Sequence, residues 1–204
     1  CSMYGIDAGK IKYLMQTHSH ADHFDAGHFV TRWSEYASKN LELLQIFCSK
    51  GTADDMNHWI KNHEPSVDLF DEKWQKDFNY SLNLLKHGDK VKFGNYEVTA
   101  IDSKHDKRVE ALIYIISNNG INLLYGTDLL EISEEAWKII KGYKLDVIFL
   151  DQTYGEGFNR GGHLDAGQIK EIVRRMKKEN IINSNTKIYA THISHEGNDI
   201  HKIM

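Results

Sequence analysis

Short apolar blocks separated by polar clusters run along this chain, and their lengths and periods predict alternating strands and helices. Lys10–Thr17 (KIKYLMQT) is apolar-rich and stops at a polar cluster, which predicts a buried strand. Asp25–Glu35 and the residues just beyond place Phe29, Trp33 and Tyr36 on one helical face. Leu43–Phe47 (LLQIF) reads as a second strand. A turn at Lys50-Gly51 and a helix over Ala53–His63, capped by Thr52, are expected next. Glu64–Leu85 follows no single period and predicts loop mixed with short strand.

Further on the pattern becomes regular. Asp89–Phe93, Tyr96–Ser103, Glu110–Ser117 and Ile121–Gly126 read as strands, with turns at Gly94-Asn95 and Asn118-Asn119-Gly120. Ser133–Lys141 reads as a helix with acid in its first turn, where the helix dipole favours it. Val147–Leu150 predicts a buried strand, Ala166–Glu179 an amphipathic helix and Lys187–Ala190 a last strand. Strands interleaved with helices imply a layered α/β domain. No repeat, low-complexity segment or linker interrupts it, so residues 1–204 are expected to form one domain.

Composition narrows the class. The chain has 204 residues, 41% hydrophobic and 26% charged, which suits a globular protein with a real core. No run of about 18 apolar residues occurs, so no membrane-crossing helix is predicted. The opening Cys1-Ser2-Met3-Tyr4-Gly5 has no basic region followed by an apolar stretch, so no export signal is expected. Two cysteines, Cys1 and Cys48, make no disulfide framework, and a cytoplasmic setting is the default. The formal charge is −4, and the main basic run, Arg174–Lys178, falls on a helix where it reads as a solvated face. That balance weighs against nucleic acid as a partner.

Histidine changes the picture. There are 12, and Thr17-His18-Ser19-His20-Ala21-Asp22-His23 puts four potential ligands in six residues between a strand and a helix. In extended backbone His18 and His20 face the same way and can address one ion, while Asp22 and His23, past the turn, can address a second. Imidazole and carboxylate are the donors that Zn²⁺ prefers, and Mn²⁺ or Fe²⁺ also accept such sets. Three more donors each follow a predicted strand: His105, Asp128 and His192.

The His18–His23 stretch resembles the HxHxDH signature of the metallo-β-lactamase superfamily, and His105, Asp128 and His192 appear in that family's order. The resemblance implies a four-layer αββα sandwich. Its relatives carry further strands and a helix before the motif and continue past the last histidine, so this chain is expected to be incomplete at its N-terminus. By the resemblance, one ion is held by His18, His20 and His105, the other by Asp22, His23 and His192, and Asp128 bridges them. Two ions with a bridging hydroxide supply a nucleophile at neutral pH and Lewis-acid stabilisation. Many zinc β-lactamases carry cysteine near the position of Asp128, which neither Cys1 nor Cys48 supplies, so antibiotic hydrolysis is disfavoured. Residues 54–85 depart from the family pattern and are expected to contribute to a substrate wall.

His163, in Arg160-Gly161-Gly162-His163-Leu164-Asp165, is not needed as a ligand. Its place is similar to that of an additional active-site histidine in the phosphodiesterase branch, which includes the phosphoribosyl cyclic phosphodiesterases of phosphonate breakdown. Phe149–Tyr154 and Ala190–His195 also resemble that branch. An alkoxide leaving group needs a proton, and imidazole titrates near working pH, so His163 is expected to supply it, with Asp165 orienting the ring. The plainer reading is an exposed histidine in a helix-capping segment. Asp151, at a strand end, is expected either to bond a ligand histidine or to shape a turn. His195 reads as supporting or structural. His28, His58, His63, His87 and His201 lack such context and are expected to be solvent-facing or locally bonded. The catalytic set is thus His163, Asp128 and Asp22, acting on a small cyclic or diester phosphate. A lactone or thioester hydrolase, an RNA-processing nuclease and a non-enzymatic metal-binding protein are the competing readings, and a homodimer is left open.

Overall fold

A computed structural model describes residues 2–37, 41–158 and 160–197. The chain divides into two compact units, Cys1–Leu85 and Lys86–Met204.

The first unit is built on three parallel strands in the order β1 (Tyr13–Met15), β2 (Leu44–Cys48) and β3 (Tyr80–Leu84). β1 is shorter than the sequence predicts. Only Tyr13–Met15 pair with Gln45–Phe47, and the residues before them form a 3-10 turn, Ala8–Lys10, capped by Asp7. The helix expected from Asp25 is a 3-10 helix, Ala26–Arg32, with the Asp25 side chain accepting from Gly27 N. The expected turn at Lys50-Gly51 is overturned, because helix α1 (Lys50–His63) already begins there. Its cap is Ser49, not Thr52: the buried Ser49 Oγ accepts from Thr52 N at 3.0 Å and so satisfies a first-turn amide. The aperiodic stretch resolves into helix α2 (Glu72–Asp77) and β3. Trp33 packs edge-on against Trp74 and Phe78, and Tyr36 of the predicted face is exposed. Ile46, Met56, Ile60, Leu69 and Phe78 are fully buried around them.

The second unit carries a six-stranded sheet, β4 (Lys90–Phe93), β5 (Tyr96–Asp102), β6 (Leu112–Asn118), β7 (Ile121–Gly126), β8 (Val147–Asp151) and β9 (Lys187–Thr191), in that spatial order. β4 to β7 are an antiparallel meander, and β7, β8 and β9 are parallel. Parallel neighbours need crossovers, which helices α3 (Glu134–Ile140) and α4 (Ala166–Lys178) supply. Ile148 and Leu150 of β8 are fully buried in the core with Trp137 and Met176. On the alternate positions Tyr125, Phe149 and Tyr189 form a cross-strand aromatic row. This topology sets the site. β5 and β7 both run opposite to β6, and β8 and β9 run with β7, so the carboxyl ends of β5, β7, β8 and β9 share one edge. Loops beyond the carboxyl ends of parallel strands are where α/β sheets place their chemistry.

Candidate metal centre

In the first unit the motif loop leaves the carboxyl end of β1. Gln16, buried at the end of an apolar strand, is the residue that shapes it. Its backbone amide extends the pairing to Phe47 O (2.9 Å), and its side-chain amide donates to His18 O (2.8 Å) and His23 O (2.9 Å). One side chain therefore ties both ends of the loop, and a turn from His23 N to His20 O (2.9 Å) closes it. The fold brings the three imidazoles together: His18 lies 4.7 Å from His20 and 4.5 Å from His23 between ring centroids. His18 is 0% exposed, and neutral imidazoles are what a metal binds. Asp22 stands at the rim, its carboxylate 3.3 Å from His23 Nε2. Ser19 Oγ donates to Asp55 on α1, which anchors the outer side of the loop.

In the second unit His105, Asp128, Asp151, His163 and His192 all reach the shared strand edge. His105 Nδ1 bonds Gly162 O at 2.7 Å, which as a carbonyl only accepts, so the proton is on Nδ1 and the lone pair on Nε2. His192 is fixed the same way at one remove. Thr153 Oγ1 donates its single proton to Asp151 Oδ1 (2.7 Å) and therefore accepts from His192 Nδ1 (2.8 Å). Both imidazoles thus turn an Nε2 lone pair to Asp128, at 3.8 Å from Oδ2 for His105 and 3.5 Å from Oδ1 for His192. Lone pairs facing carboxylate oxygens at these spacings are not hydrogen bonds. The 3.5 Å pair matches two ligands of one divalent cation, whose bonds of about 2.0–2.2 Å set donors roughly 3.3–3.6 Å apart, and the 3.8 Å pair lies just beyond that spacing. The Asp128 side chain is 2% exposed and that of His105 3%, so the donors are preorganised in a dry setting. Asp128 and His192 both hold left-handed backbone (φ 55° and 59°), a conformation ordinary side chains avoid. Burial, and then the charge of Asp128, push the Tyr125 phenol above its ordinary value and keep it neutral.

His163 is not a surface histidine. Its ring stacks on His192 (4.8 Å, 13°) and lies 4.7 Å from His105. Nδ1 donates to Asp151 Oδ2 at 2.7 Å. The expected partner, Asp165, does something else: it caps α4 through Gln168 N (2.8 Å), and Gln168 returns a bond to Asp165 N (2.9 Å). Its oxygen is committed to the helix end, which leaves Asp151 as the group that orients His163. Asp128, Asp151, His163 and His192 each offer a donor atom within 4.8 Å of the others. Thr153 and Gln16 were not singled out in the sequence. The signal was there for Thr153, since Asp151 and Thr153 stand at i and i+2 on an extended strand end and so share a face. Among the remaining histidines, His28, His58 and His63 are exposed or locally bonded, His87 Nδ1 accepts from Asp102 N and His195 is exposed; His201 lies outside the described residues.

The family model described as a beta-lactamase superfamily domain matches residues 4–193. The chain belongs to this family, and so to the metallo-β-lactamase superfamily of metal-dependent hydrolases, and the match runs through both units. None of the curated proteins compared with the chain matches it. Among solved structures it is similar to a diphosphatase from the PhnP family (TM-score 0.68, 18% identity), covering 98% of this chain and 66% of that one. It is similar to the metallo-beta-lactamase fold protein YhfI from Bacillus subtilis (0.64, 13%), covering 98% and 72%. Yeast PDE1 is a third (0.69, 18%), covering 93% and 59%. These likenesses establish the fold. The chain thus spans 59% to 72% of the length of these relatives. No helix among the described residues is long and apolar enough to cross a membrane.

Proposed function

We propose that this chain carries the catalytic centre of a dinuclear metal-dependent phosphodiesterase acting on a small cyclic or diester phosphate. The observation that carries the reading is the His163–Asp151 pair beside His192. Asp151 takes the Nδ1 proton, so Nε2 of His163 is the position from which a proton can be delivered. The ligand assignment implied by the family pattern is part of the proposal: His18, His20 and His105 for one ion, Asp22, His23 and His192 for the other, Asp128 for both. The imidazole and carboxylate donors fit Zn²⁺ and admit Mn²⁺ or Fe²⁺. When bound, the ions supply Lewis acidity and lower the pKa of the attacking water. The chain's own residues do the rest. Asp128 holds its carboxylate between two fixed histidines. His163, its Nδ1–H held by Asp151, acts as the imidazolium: it gives the proton on Nε2 to the leaving oxygen as the phosphorus–oxygen bond breaks, is left as the neutral Nδ1–H tautomer, and regains a proton at Nε2 from the one the attacking water releases. A diphosphatase among the similar structures supports chemistry at phosphorus. The two cysteines support a reducing, cytoplasmic setting.

The test uses two substrates with different leaving groups. Metal-loaded protein is expected to hydrolyse a 2′,3′-cyclic nucleotide and bis(p-nitrophenyl) phosphate. His163→Ala should lower turnover of the cyclic ester about 10²–10⁴-fold. It should affect the nitrophenyl ester far less, because nitrophenolate leaves without a proton. Equal losses on both would remove the proton-delivery role. Wild-type turnover of lactones or thioesters, with none of phosphodiesters, would overturn the phosphodiesterase reading in favour of carbonyl chemistry.

A further inference from the structure

We propose that Thr153 is a positioning residue for the metal ligand His192, and that Asp151 joins this ligand, the proton donor His163 and the strained backbone at Asp128 into one brace. The proposal rests on the metal-centre reading above. Its basis is a hydrogen-bond count that closes. Asp151 is 0% exposed, and each carboxylate oxygen takes two donors. Oδ1 accepts from Thr153 N (2.8 Å) and Thr153 Oγ1 (2.7 Å). Oδ2 accepts from Leu129 N (2.9 Å) and His163 Nδ1 (2.7 Å). A buried carboxylate is sustained only by such a full set, so each arm of the brace depends on the others being in place.

Each arm ends on a different part of the site. The Leu129 amide fixes the peptide that follows Asp128, at φ 55°. The His163 arm sets the tautomer of the proton donor. The Thr153 arm sets the tautomer of His192, because a hydroxyl already donating to Asp151 can only accept from Nδ1. The backbone reinforces it: Gln152 N donates to Thr191 O (2.9 Å), and Ser194 donates to Thr153 O from both Oγ (2.7 Å) and N (3.2 Å). The His192 turn is therefore held on both sides, through Gln152 before it and Thr153 after it, and the Thr153 hydroxyl adds the contact that leaves Nε2 as the ligand atom. Groups that orient ligand histidines in this way are worth about 10–100-fold in metal affinity.

The arms can be separated by substitution. Thr153→Val keeps the shape and removes the hydroxyl, and Thr153→Ser keeps the hydroxyl. Chelator competition with Zn²⁺ on the full chain should show Thr153→Val binding one ion about 10–100-fold more weakly. Thr153→Ser should stay near wild type. At saturating metal, Thr153→Val should regain its kcat only in part, since it removes one of the four donors that sustain Asp151 but leaves the Asp151–His163 bond. Asp151→Asn should lose affinity and kcat together and not recover. Wild-type zinc affinity in Thr153→Val, or failure of Thr153→Ser to restore it, overturns the proposal while leaving the metal centre standing. Absence of bound metal in the wild type overturns both.

Discussion

Asp128 and His192 occupy left-handed backbone that costs a side chain of ordinary type about 1 kcal/mol or more. The other described non-glycine residues with positive φ are Asn79, Asn119 and Asn180, and asparagine tolerates that region. Aspartate and histidine also enter this region several-fold more often than other side chains, and the two that do so here are both proposed ligands. Asp128→Asn tests this. The amide keeps the shape, tolerates the φ and removes a buried charge. The metal-free variant is expected to melt no lower than metal-free wild type, while its metal content after dialysis falls. A lower melting temperature with metal retained would contradict the reading. The same comparison bears on stability given up at a functional site and recovered when function is removed.

The elements were legible where one physical signal dominated. β4 to β7 are short apolar-rich runs separated by turns such as Gly94-Asn95 and Asn119-Gly120, so the meander could be read almost to the residue. The proposed ligands could be named from the sequence because each stands just past a strand end. The first unit was harder, for identifiable reasons. Ser49 and Thr52 are both competent caps, and only the fold decides that Ser49 Oγ meets the Thr52 amide. α2 spans six residues, too few for a period to show, and β1 is limited by how much of β2 it can pair with. Asp165 illustrates a different limit. Two residues from His163, it was an obvious partner by sequence distance, but a helix start competes for its oxygen and wins. Asp165→Ala should therefore destabilise the protein by about 0.5–2 kcal/mol in urea unfolding, through loss of the cap. It should leave the kcat of folded protein unchanged. A large loss of kcat without a change in stability would return Asp165 to the site.

At the scale of the whole molecule, both compact units carry donor clusters, three packed imidazoles in one and two histidines facing Asp128 in the other. Metal that binds only the folded chain adds to its stability by mass action, about 2.7 kcal/mol at a hundredfold excess over the dissociation constant. Treatment with a chelator is accordingly expected to lower the melting temperature, and restoring Zn²⁺ or Mn²⁺ to raise it in a concentration-dependent way. A melting temperature indifferent to both would argue that the donors hold no ion in solution. The convergence on Asp151 has an evolutionary consequence. One nucleotide change turns an aspartate codon into an asparagine codon, and here it would leave every ligand in place while disabling the brace behind them. If the proposed brace holds, a homologue that keeps the seven proposed ligands but bears asparagine at this position is expected to lose activity, so position 151 is one to inspect before activity is inferred from the ligands alone.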